Sequence, residues 1–310
     1  MKEGTVDGIG RFRAFLRLCR PQFLVPGLFL YVLGYLIALA YGTAWDSGRF
    51  LFGYLVFFLA HFSLTFSNDY FDREADSYGA PSPISGGSGA LSSHPELSRL
   101  AISLAVVLII LSLAAAVWFQ LQYEPEWYFL PFVLAGNLLG LFYTAPPLRL
   151  AYHGLGEVAT MVAAGIIMPG MGYLSASGGL DGSFLLLSLP LLAYGAFFII
   201  SVELPDVEGD RAGGKRNLLV RYGERTGSFV ALLSVLASSV LWAVITLFET
   251  DAPFDMLPFL LFLMVPLTAG TIGTMRTPSD RRASVRQAKL NFSCLMIFLT
   301  LAILYLAVVI

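Results

Sequence analysis

The sequence predicts an all-α polytopic membrane protein with nine transmembrane helices. Only 13% of its 310 residues are charged and 57% are hydrophobic, whereas soluble domains carry about 25% charged residues. The apolar residues fall into stretches of about 20, the length at which a helix crosses a hydrocarbon layer about 30 Å thick. Strands of a membrane barrel would alternate in polarity over about 10 residues, a pattern that is not seen. The nine stretches are 22–41, 50–68, 99–120, 127–144, 155–175, 183–203, 227–248, 256–275 and 289–310.

The distribution of basic residues orients these helices. With nine spans, the loops alternate sides and the two termini lie on opposite faces of the membrane. The N-terminal tail and the loops on its side hold 18 of the 19 Lys and Arg residues, and the other side holds only Arg49. Because positively charged segments stay in the cytoplasm, we expect the N-terminus inside and the C-terminus outside. The first span is too long for the apolar region of a signal peptide, so no cleavage is expected.

The long hydrophilic connections lie on the predicted cytoplasmic side, at 69–98, 205–226 and 276–288. No low-complexity tract divides the chain, and we expect residues 1–310 to form one membrane-embedded domain. The outer loops are short, so we expect the functional site to face the cytoplasm.

The second apolar stretch ends in an acidic run, "NDYFDREAD". Asn68, Asp72 and Asp76 recur at i, i+4 and i+8, which places them on one face of a helix that continues past the membrane surface. Asp69 lies about 100° around the same helix. Oxygen ligands without Cys or His suit a hard divalent ion such as Mg²⁺. The alternative is a solvated helix end whose acids pair with Arg73 and nearby lysines.

A second acidic run follows the sixth stretch on the same side, "ELPDVEGDRAGGKR". Asp206 and Asp210 are again four residues apart, and Lys215 and Arg216 follow closely. Carboxylates alone would repel a diphosphate, but carboxylates with Mg²⁺ hold it, and Lys or Arg completes the charge balance. Since the two runs lie four helices apart, they also indicate a weak internal duplication.

These motifs resemble those of the UbiA-type intramembrane prenyltransferases. "NDYFDREAD" matches the family's first Asp-rich motif, NDxxDxxxD, and "DVEGD" matches its second, DxxxD. The nine-helix count, the "RP" at Arg20 and Pro21, and "YTAPPLRL" at 143–150 extend the resemblance over nearly the whole chain. The resemblance implies helices around a central lipid-open cavity, with Mg²⁺ at the two motifs binding the diphosphate of an isoprenyl donor.

The resemblance also suggests the role of each site residue. The resemblance implies that Mg²⁺ and the diphosphate are held by Asn68, Asp69, Asp72, Asp76, Asp206 and Asp210. The expected catalytic residues among them are Asp72, Asp76, Asp206 and Asp210. Substrate contacts are expected from Arg20, Arg73, Tyr143, Arg149, Lys215 and Arg216. For Arg20 and Arg216 the alternative is a charge that only sets topology, and "TAPP" can be a plain helix stop. Glu157, at a membrane boundary, is a candidate for orienting the acceptor, or it meets only a neighbouring arginine.

The acceptor is suggested by the loop after the first motif. No basic residue lies between Asp76 and Arg99, where many relatives carry an "NRP"-type stretch. "SGGSGAL" with "YTAPPLRLAYHGLGE" resembles the menaquinone branch, whose acceptor is 1,4-dihydroxy-2-naphthoate and whose reaction releases CO₂. A 4-hydroxybenzoate or geranylgeranylglyceryl phosphate acceptor is the alternative. The "SGGSG" segment is a flexible loop, or it binds an anion or caps the cavity.

A divalent-cation transporter is the alternative from another functional class. Transporters place ionisable groups near the bilayer midplane, whereas these acids lie at helix ends. The midspan Asn137 is expected to form an interhelical hydrogen bond. The three histidines, His61, His94 and His153, form no metal-binding pair, and the basic residues follow topology, so no nucleic-acid partner is expected. The expected partners are the isoprenyl diphosphate donor, the acceptor and the bilayer.

Overall fold

The protein is built from α-helices joined by short turns. The computed structural model describes residues 3–80, 82, 84, 87–249 and 252–310, and no strand occurs among them. The predicted all-α class is therefore confirmed. The long helices of the described ranges are α1 (Glu3–Cys19), α2 (Pro21–Ala40), α3 (Ser47–Asp72), α4 (Ser98–Tyr123), α5 (Phe129–Thr144), α6 (Gly156–Ser177), α7 (Gly182–Glu203), α8 (Leu218–Phe248), α9 (Leu257–Met275) and α10 (Arg281–Val309).

Eight helical segments in the described part of the chain are long and apolar enough to cross a membrane. The remaining predicted span is α5, whose 16 residues extend about 24 Å at 1.5 Å per residue. All nine predicted spans are therefore helical, although α5 is shorter than the hydrocarbon layer is thick. Several helices also extend beyond the apolar stretches. For example, α10 begins at Arg281, where the carboxylate of Asp280 accepts a hydrogen bond from the Ala283 N–H and caps the helix.

The helices close into a ring around a central space. In the described structure α2 packs on α6, α3 on α4 and α5, and α7 on α6 and α8. α9 then packs between α8 and α10, and α10 returns to α2. The face of the protein that carries α1, here called the N-terminal face, also carries the turns after α3, α5 and α7. The two acidic runs therefore lie at the same end of the ring.

A pair of glycines lets α2 and α6 approach closely. A Cβ atom at Gly34 would lie 1.8 Å from the backbone oxygen of Pro169, and one at Gly172 would lie 1.9 Å from the backbone oxygen of Tyr31. Helices in a membrane gain little from the hydrophobic effect and associate through close van der Waals packing, which small residues permit. This contact therefore fixes α2 directly against its neighbour α6.

Buried polar side chains join helices inside the apolar layer. The amide of Asn291 on α10 donates to Ser201 on α7 (2.9 Å) and accepts from Gln287 (2.7 Å). In the other half, the amide of Asn137 donates to the hydroxyl of Ser112 on α4 (3.3 Å). The predicted interhelical hydrogen bond of Asn137 is thus confirmed. Because unpaired polar groups in hydrocarbon are costly, these bonds favour one register of the helices.

We expect Gly34→Val to destabilise the protein by at least about 3 kcal/mol, since the added side chain must push α2 away from Pro169. The measurement is the thermal unfolding midpoint in detergent, with Gly182→Ala as the matched control because a Cβ at Gly182 meets no atom within 4 Å. Equal midpoints for the two variants would show that the close contact does not stabilise the ring.

Candidate active site

A polar cavity of about 150 Å³ opens at the N-terminal face where the two acidic runs meet. Six carboxyl groups and two cations line it among the described residues, an excess of four acids. The first run supplies three of the acids and the second run supplies the others. The ionisable lining residues are Asp69, Asp72, Asp76, Glu203, Asp206, Asp210, Arg20 and Lys215, and Asn68 and Asn217 are further polar members.

Small residues allow the two acidic runs to touch. The turn Ala75–Tyr78 follows α3, and the short helix Val207–Ala212 follows α7. A Cβ atom at Gly209 would lie 2.9 Å from the Cα of Gly79, and one at Gly213 would lie 2.5 Å from the Cβ of Ala75. The sequence positions of these glycines in "VEGDRAGG" therefore have a structural reason, which is the close approach of the two segments.

The first run differs from the predicted single helical stripe. The α-helix ends at Asp72, and Asp76 lies on the separate 3₁₀ turn Ala75–Tyr78. The guanidinium of Arg73 donates to the backbone carbonyl of Tyr70 (2.7 Å), which satisfies one of the carbonyl groups left free at a helix end. Despite the break, Asn68, Asp72 and Asp76 all line the polar cavity.

Lys215 joins the two acidic runs. Its ammonium nitrogen lies 3.0 Å from Oδ2 of Asp72 and 3.2 Å from Oδ1 of Asp210. Burial alone would lower the pKa of this ammonium, but the carboxylates of Asp72 and its neighbours raise the pKa well above its usual range. Gly214 has a φ of 80°, a conformation that glycine adopts without a steric penalty. This turn lets Lys215 follow Asp210 so closely.

Arg20 is the second cation of the cavity. Its guanidinium lies 3.2 Å from Oδ1 of Asp69, whose carboxylate is only 3% exposed. The residue stands at the break between α1 and α2, with a φ of 42°, and its guanidinium stacks 4.3 Å above the ring of Phe23. The backbone break at Arg20 therefore directs its positive charge into the polar cavity.

Asp76 forms no ion pair among the described residues, although the positive charges of Lys215 and Arg20 act on it. Burial raises the pKa of this carboxyl group to about 7, and the negative charge of Asp72 adds to the effect while Lys215 opposes it. A Cβ atom at Gly87 would lie 1.8 Å from Oδ2 of Asp76, so the loop after the first run packs directly on this carboxyl group. Residues 85 and 86 of the predicted "SGGSG" segment lie outside the described residues.

Three polar residues outside the two acidic runs position the oxygen-bearing side chains of the site. The hydroxyl of Tyr152 donates to Oδ1 of Asp72 (2.8 Å), and the amide of Asn217 donates to Oδ2 of Asp210 (2.8 Å). The hydroxyl of Thr144 donates to Oδ1 of Asn68 (3.0 Å). Thr144 and Tyr152 lie in and just after "YTAPPLRL", so that segment had indicated the right region without the role.

An apolar cavity of about 280 Å³ continues from the polar one into the ring of helices. It is lined by α2, α3, α5, α6, α7 and α10. Arg20, Phe23, Asn68 and Tyr143 line both cavities, so these residues mark the junction. Arg20 is the single charged side chain among the described lining residues of the apolar cavity.

Four of the residues proposed from the sequence lie away from the two cavities. Arg73 and Arg216 are exposed. The guanidinium of Arg149 stacks 3.8 Å above the ring of Tyr152 and so supports the residue that contacts Asp72. The carboxylate of Glu157 accepts a hydrogen bond from the backbone N–H of Leu218 and caps the start of α8. None of these four residues lines the polar or the apolar cavity, so their contacts with substrate stay predictions.

The donor set fits a hard divalent cation. No group of three or more His, Cys, Asp or Glu side chains in the described ranges already forms a metal site. Mg²⁺ does not need such a cage, because it binds through one or two carboxylates and takes its other ligands from phosphate and water. The excess of four acids and the raised pKa of Asp76 show where added positive charge would be stabilised.

The chain matches one protein family over most of its length. The sequence model of the UbiA prenyltransferase family matches residues 27–300. The 1,4-dihydroxy-2-naphthoate octaprenyltransferase of Bacillus subtilis is 24% identical over 250 residues, which are 81% of this chain and 78% of that protein. The 2-carboxy-1,4-naphthoquinone phytyltransferase of Synechocystis is 31% identical over 119 residues. That match spans less than half of either protein, 38% of this chain and 39% of the relative.

Solved structures share the fold. A UbiA homologue from Archaeoglobus fulgidus, solved bound to GPP and Mg²⁺, superposes with a TM-score of 0.63. The superposition covers 93% of this chain and 99% of the homologue at 18% sequence identity. At this identity the likeness establishes the architecture, a helical ring around a cavity, and nothing finer.

We expect Lys215→Gln to weaken the binding of pyrophosphate in the presence of Mg²⁺ by at least about tenfold, because Asp72 and Asp210 lose the cation between them. The matched control is Arg216→Gln, which removes an exposed charge one residue away and should change the affinity less than threefold. Titration calorimetry measures both. A larger loss in Arg216→Gln would mean that the exposed arginine, and not Lys215, contacts the anion.

Proposed function

The chain belongs to the UbiA prenyltransferase family, and we propose that it transfers a prenyl group from an isoprenyl diphosphate to 1,4-dihydroxy-2-naphthoate with Mg²⁺ bound. Membership makes it an integral membrane prenyltransferase. The ion, the site residues and the acceptor are what the proposal adds. The observation that carries it is the junction of a charged cavity with an apolar cavity inside the ring of helices. An isoprenyl diphosphate has an anionic head that would need the charged cavity and a hydrocarbon tail that would need the apolar cavity.

The diphosphate would lie in the polar cavity. Mg²⁺ would be held by oxygens of the two acidic runs, from Asn68, Asp69, Asp72, Asp76, Asp206 and Asp210. When bound, the ion neutralises the charge that builds up on the leaving diphosphate. Lys215 and Arg20, which both line the cavity, would supply further positive charge to the diphosphate. Tyr152 and Asn217 hold Asp72 and Asp210 in place through the hydrogen bonds described above.

The prenyl tail would lie in the apolar cavity below the junction. The bond between C1 of the donor and the diphosphate oxygen breaks, and its electron pair leaves with the diphosphate. The resulting allylic cation forms beside Tyr143 and Phe23, whose aromatic faces can stabilise it. Hydrocarbon side chains keep water from this region, so the cation survives until the acceptor attacks.

The acceptor would approach C1 with its carboxyl-bearing ring carbon. That carbon forms the new C–C bond to C1. The bond to the carboxylate then breaks, CO₂ leaves, and the electron pair restores the aromatic ring. Support for this acceptor comes from the naphthoate and naphthoquinone relatives and from the absence of basic residues between Asp76 and Arg99. A 4-hydroxybenzoate or a geranylgeranylglyceryl phosphate acceptor is the alternative within the family.

We also propose that the N-terminal face is cytoplasmic. It carries 18 of the 19 basic residues, and positively charged loops stay in the cytoplasm. Diphosphate donors and Mg²⁺ would then enter the site from the cytoplasm, while the donor tail would enter from the bilayer.

The reaction is tested with purified full-length protein, labelled geranylgeranyl diphosphate and the three acceptors offered separately. We expect prenylated naphthoate, with turnover lost on addition of EDTA and reduced at least about 100-fold in Asp72→Asn and Asp206→Asn. Glu208→Gln is the matched control, since Glu208 lies within the second run but is exposed and does not line the cavity. Product from a different acceptor would support prenyl transfer and show that the acceptor is not 1,4-dihydroxy-2-naphthoate. Absence of product with every acceptor would contradict the proposal.

Naphthoate labelled with ¹⁴C in its carboxyl group tests the order of bonds formed and broken. We expect one labelled CO₂ for each prenylated product, because the prenyl group takes the place of the carboxylate. Trapping of the gas in alkali, compared with product counted after extraction, gives the ratio. A product that retains the label would show attack at another ring position.

A further inference from the structure

His61 is a polar side chain in an otherwise apolar part of the cavity. It lies on α3 and lines the apolar cavity together with Phe57 and Leu64. Its ring packs against the ring of Phe57, with the centroids 5.3 Å apart. On the other side it fills the space beside Gly27, where a Cβ atom would lie 2.4 Å from the imidazole Nδ1. The glycine on α2 is therefore what admits an imidazole at this position.

Neither ring nitrogen of His61 is hydrogen-bonded to the described part of the chain. Other polar groups of the same wall are satisfied within the protein. The hydroxyl of Thr65 donates to the carbonyl of Phe62 (2.9 Å), and the hydroxyl of Tyr194 donates to the carbonyl of Leu295 (3.3 Å). An imidazole offers one hydrogen-bond donor and one acceptor when neutral, and leaving both unpaired in hydrocarbon is costly. A hydrocarbon tail alone gives no reason for a histidine here.

The depth of His61 relates it to the reacting atoms. It precedes Asn68 by seven residues, which places it on the same face of α3 and about 10 Å further from the N-terminal face along the helix axis. Asn68 marks the junction at which the diphosphate meets its tail. A group that contacts His61 therefore lies deeper in the apolar cavity than a diphosphate held near Asn68.

We infer that His61 forms a binding subsite for an uncharged hydroxyl group of the aromatic acceptor. This inference rests on the function proposed above and adds the orientation of the acceptor. The carboxyl-bearing carbon must face C1 of the donor at the junction, where Arg20 supplies positive charge. The hydroxyl furthest from that carbon then points into the membrane and meets the imidazole, which exchanges a hydrogen bond with it.

The charge distribution distinguishes this acceptor from a phosphorylated one. No lysine or arginine other than Arg20 lines the apolar cavity in the described residues. A phosphate at the depth of His61 would therefore lack the cations that such groups need. A hydroxyl needs only one partner, and His61 supplies it. His61 is accordingly a residue that sets acceptor specificity, away from the bond that breaks.

The test measures the equilibrium binding of 1,4-dihydroxy-2-naphthoate, followed by its own fluorescence, to full-length protein with Mg²⁺ and pyrophosphate present. His61→Phe keeps an aromatic ring and removes both hydrogen-bonding nitrogens, and we expect it to raise the Kd about tenfold. His61→Gln restores a donor and an acceptor, and we expect a Kd within threefold of the wild type. His153→Phe is the matched control, because His153 is exposed and lies outside both cavities.

Steady-state turnover with the same variants separates the possible outcomes. An increase in the KM for naphthoate in His61→Phe, with the KM for geranylgeranyl diphosphate unchanged, is the expected result. An unchanged Kd in His61→Phe, or an increase confined to the donor KM, overturns the acceptor subsite while wild-type turnover still supports the proposed reaction. Normal naphthoate binding that depends on His61, without any prenylated product, would instead keep the subsite and refute the reaction. Wild-type protein that does not bind naphthoate refutes the subsite.

Discussion

The ion pairs of Lys215 with Asp72 and Asp210 are the interaction on which the site depends. They connect a carboxylate at the end of α3 with one in the segment after α7, and so join two parts of the chain that are far apart in sequence. All three side chains are largely buried, so removing one partner would leave the others as charges without compensation. The surrounding glycines, the left-handed turn at Gly214 and the hydrogen bonds from Tyr152 and Asn217 all serve to bring these groups together.

The described residues of the polar cavity carry more negative than positive charge. Six acids and two cations share one small cavity, an imbalance that only a metal ion or protons can relieve. Burial and the neighbouring carboxylate of Asp72 raise the pKa of Asp76 to about 7, so this carboxyl group gives up its proton less readily than an ordinary aspartic acid. Bound Mg²⁺ would relieve this excess of negative charge, and a diphosphate, which brings negative charge of its own, would need Mg²⁺ together with Lys215 and Arg20.

The apolar layer imposes the complementary constraint. Close packing at Gly34 and Gly172 and the interhelical hydrogen bonds donated by the amides of Asn137 and Asn291 hold the helices together within the apolar layer. The unpaired imidazole of His61 differs from the hydroxyl groups of Thr65 and Tyr194 in the same apolar cavity, which are hydrogen-bonded within the protein. The polar and apolar cavities join at Asn68 and Tyr143. In the proposed reaction, the diphosphate of the donor is joined to its hydrocarbon tail at this level.

The sequence by itself determined the features that depend on local periodicity and composition. Hydrophobic length predicted the helical spans, and the four-residue spacing of acids predicted which runs would line a common site. Tertiary structure decided the features that depend on contacts between distant segments. Lys215 and Arg216 are neighbouring basic residues that the sequence does not distinguish, yet after the turn at Gly214 the first is largely buried and the second is exposed. Arg73 donates a hydrogen bond to a backbone carbonyl at the end of α3 and does not line the cavity. The sequence did not indicate the roles of Tyr152, Asn217 and His61. A hydrogen-bond partner or a cavity beside a side chain is a property of the packed helices and not of the residue spacing along one of them.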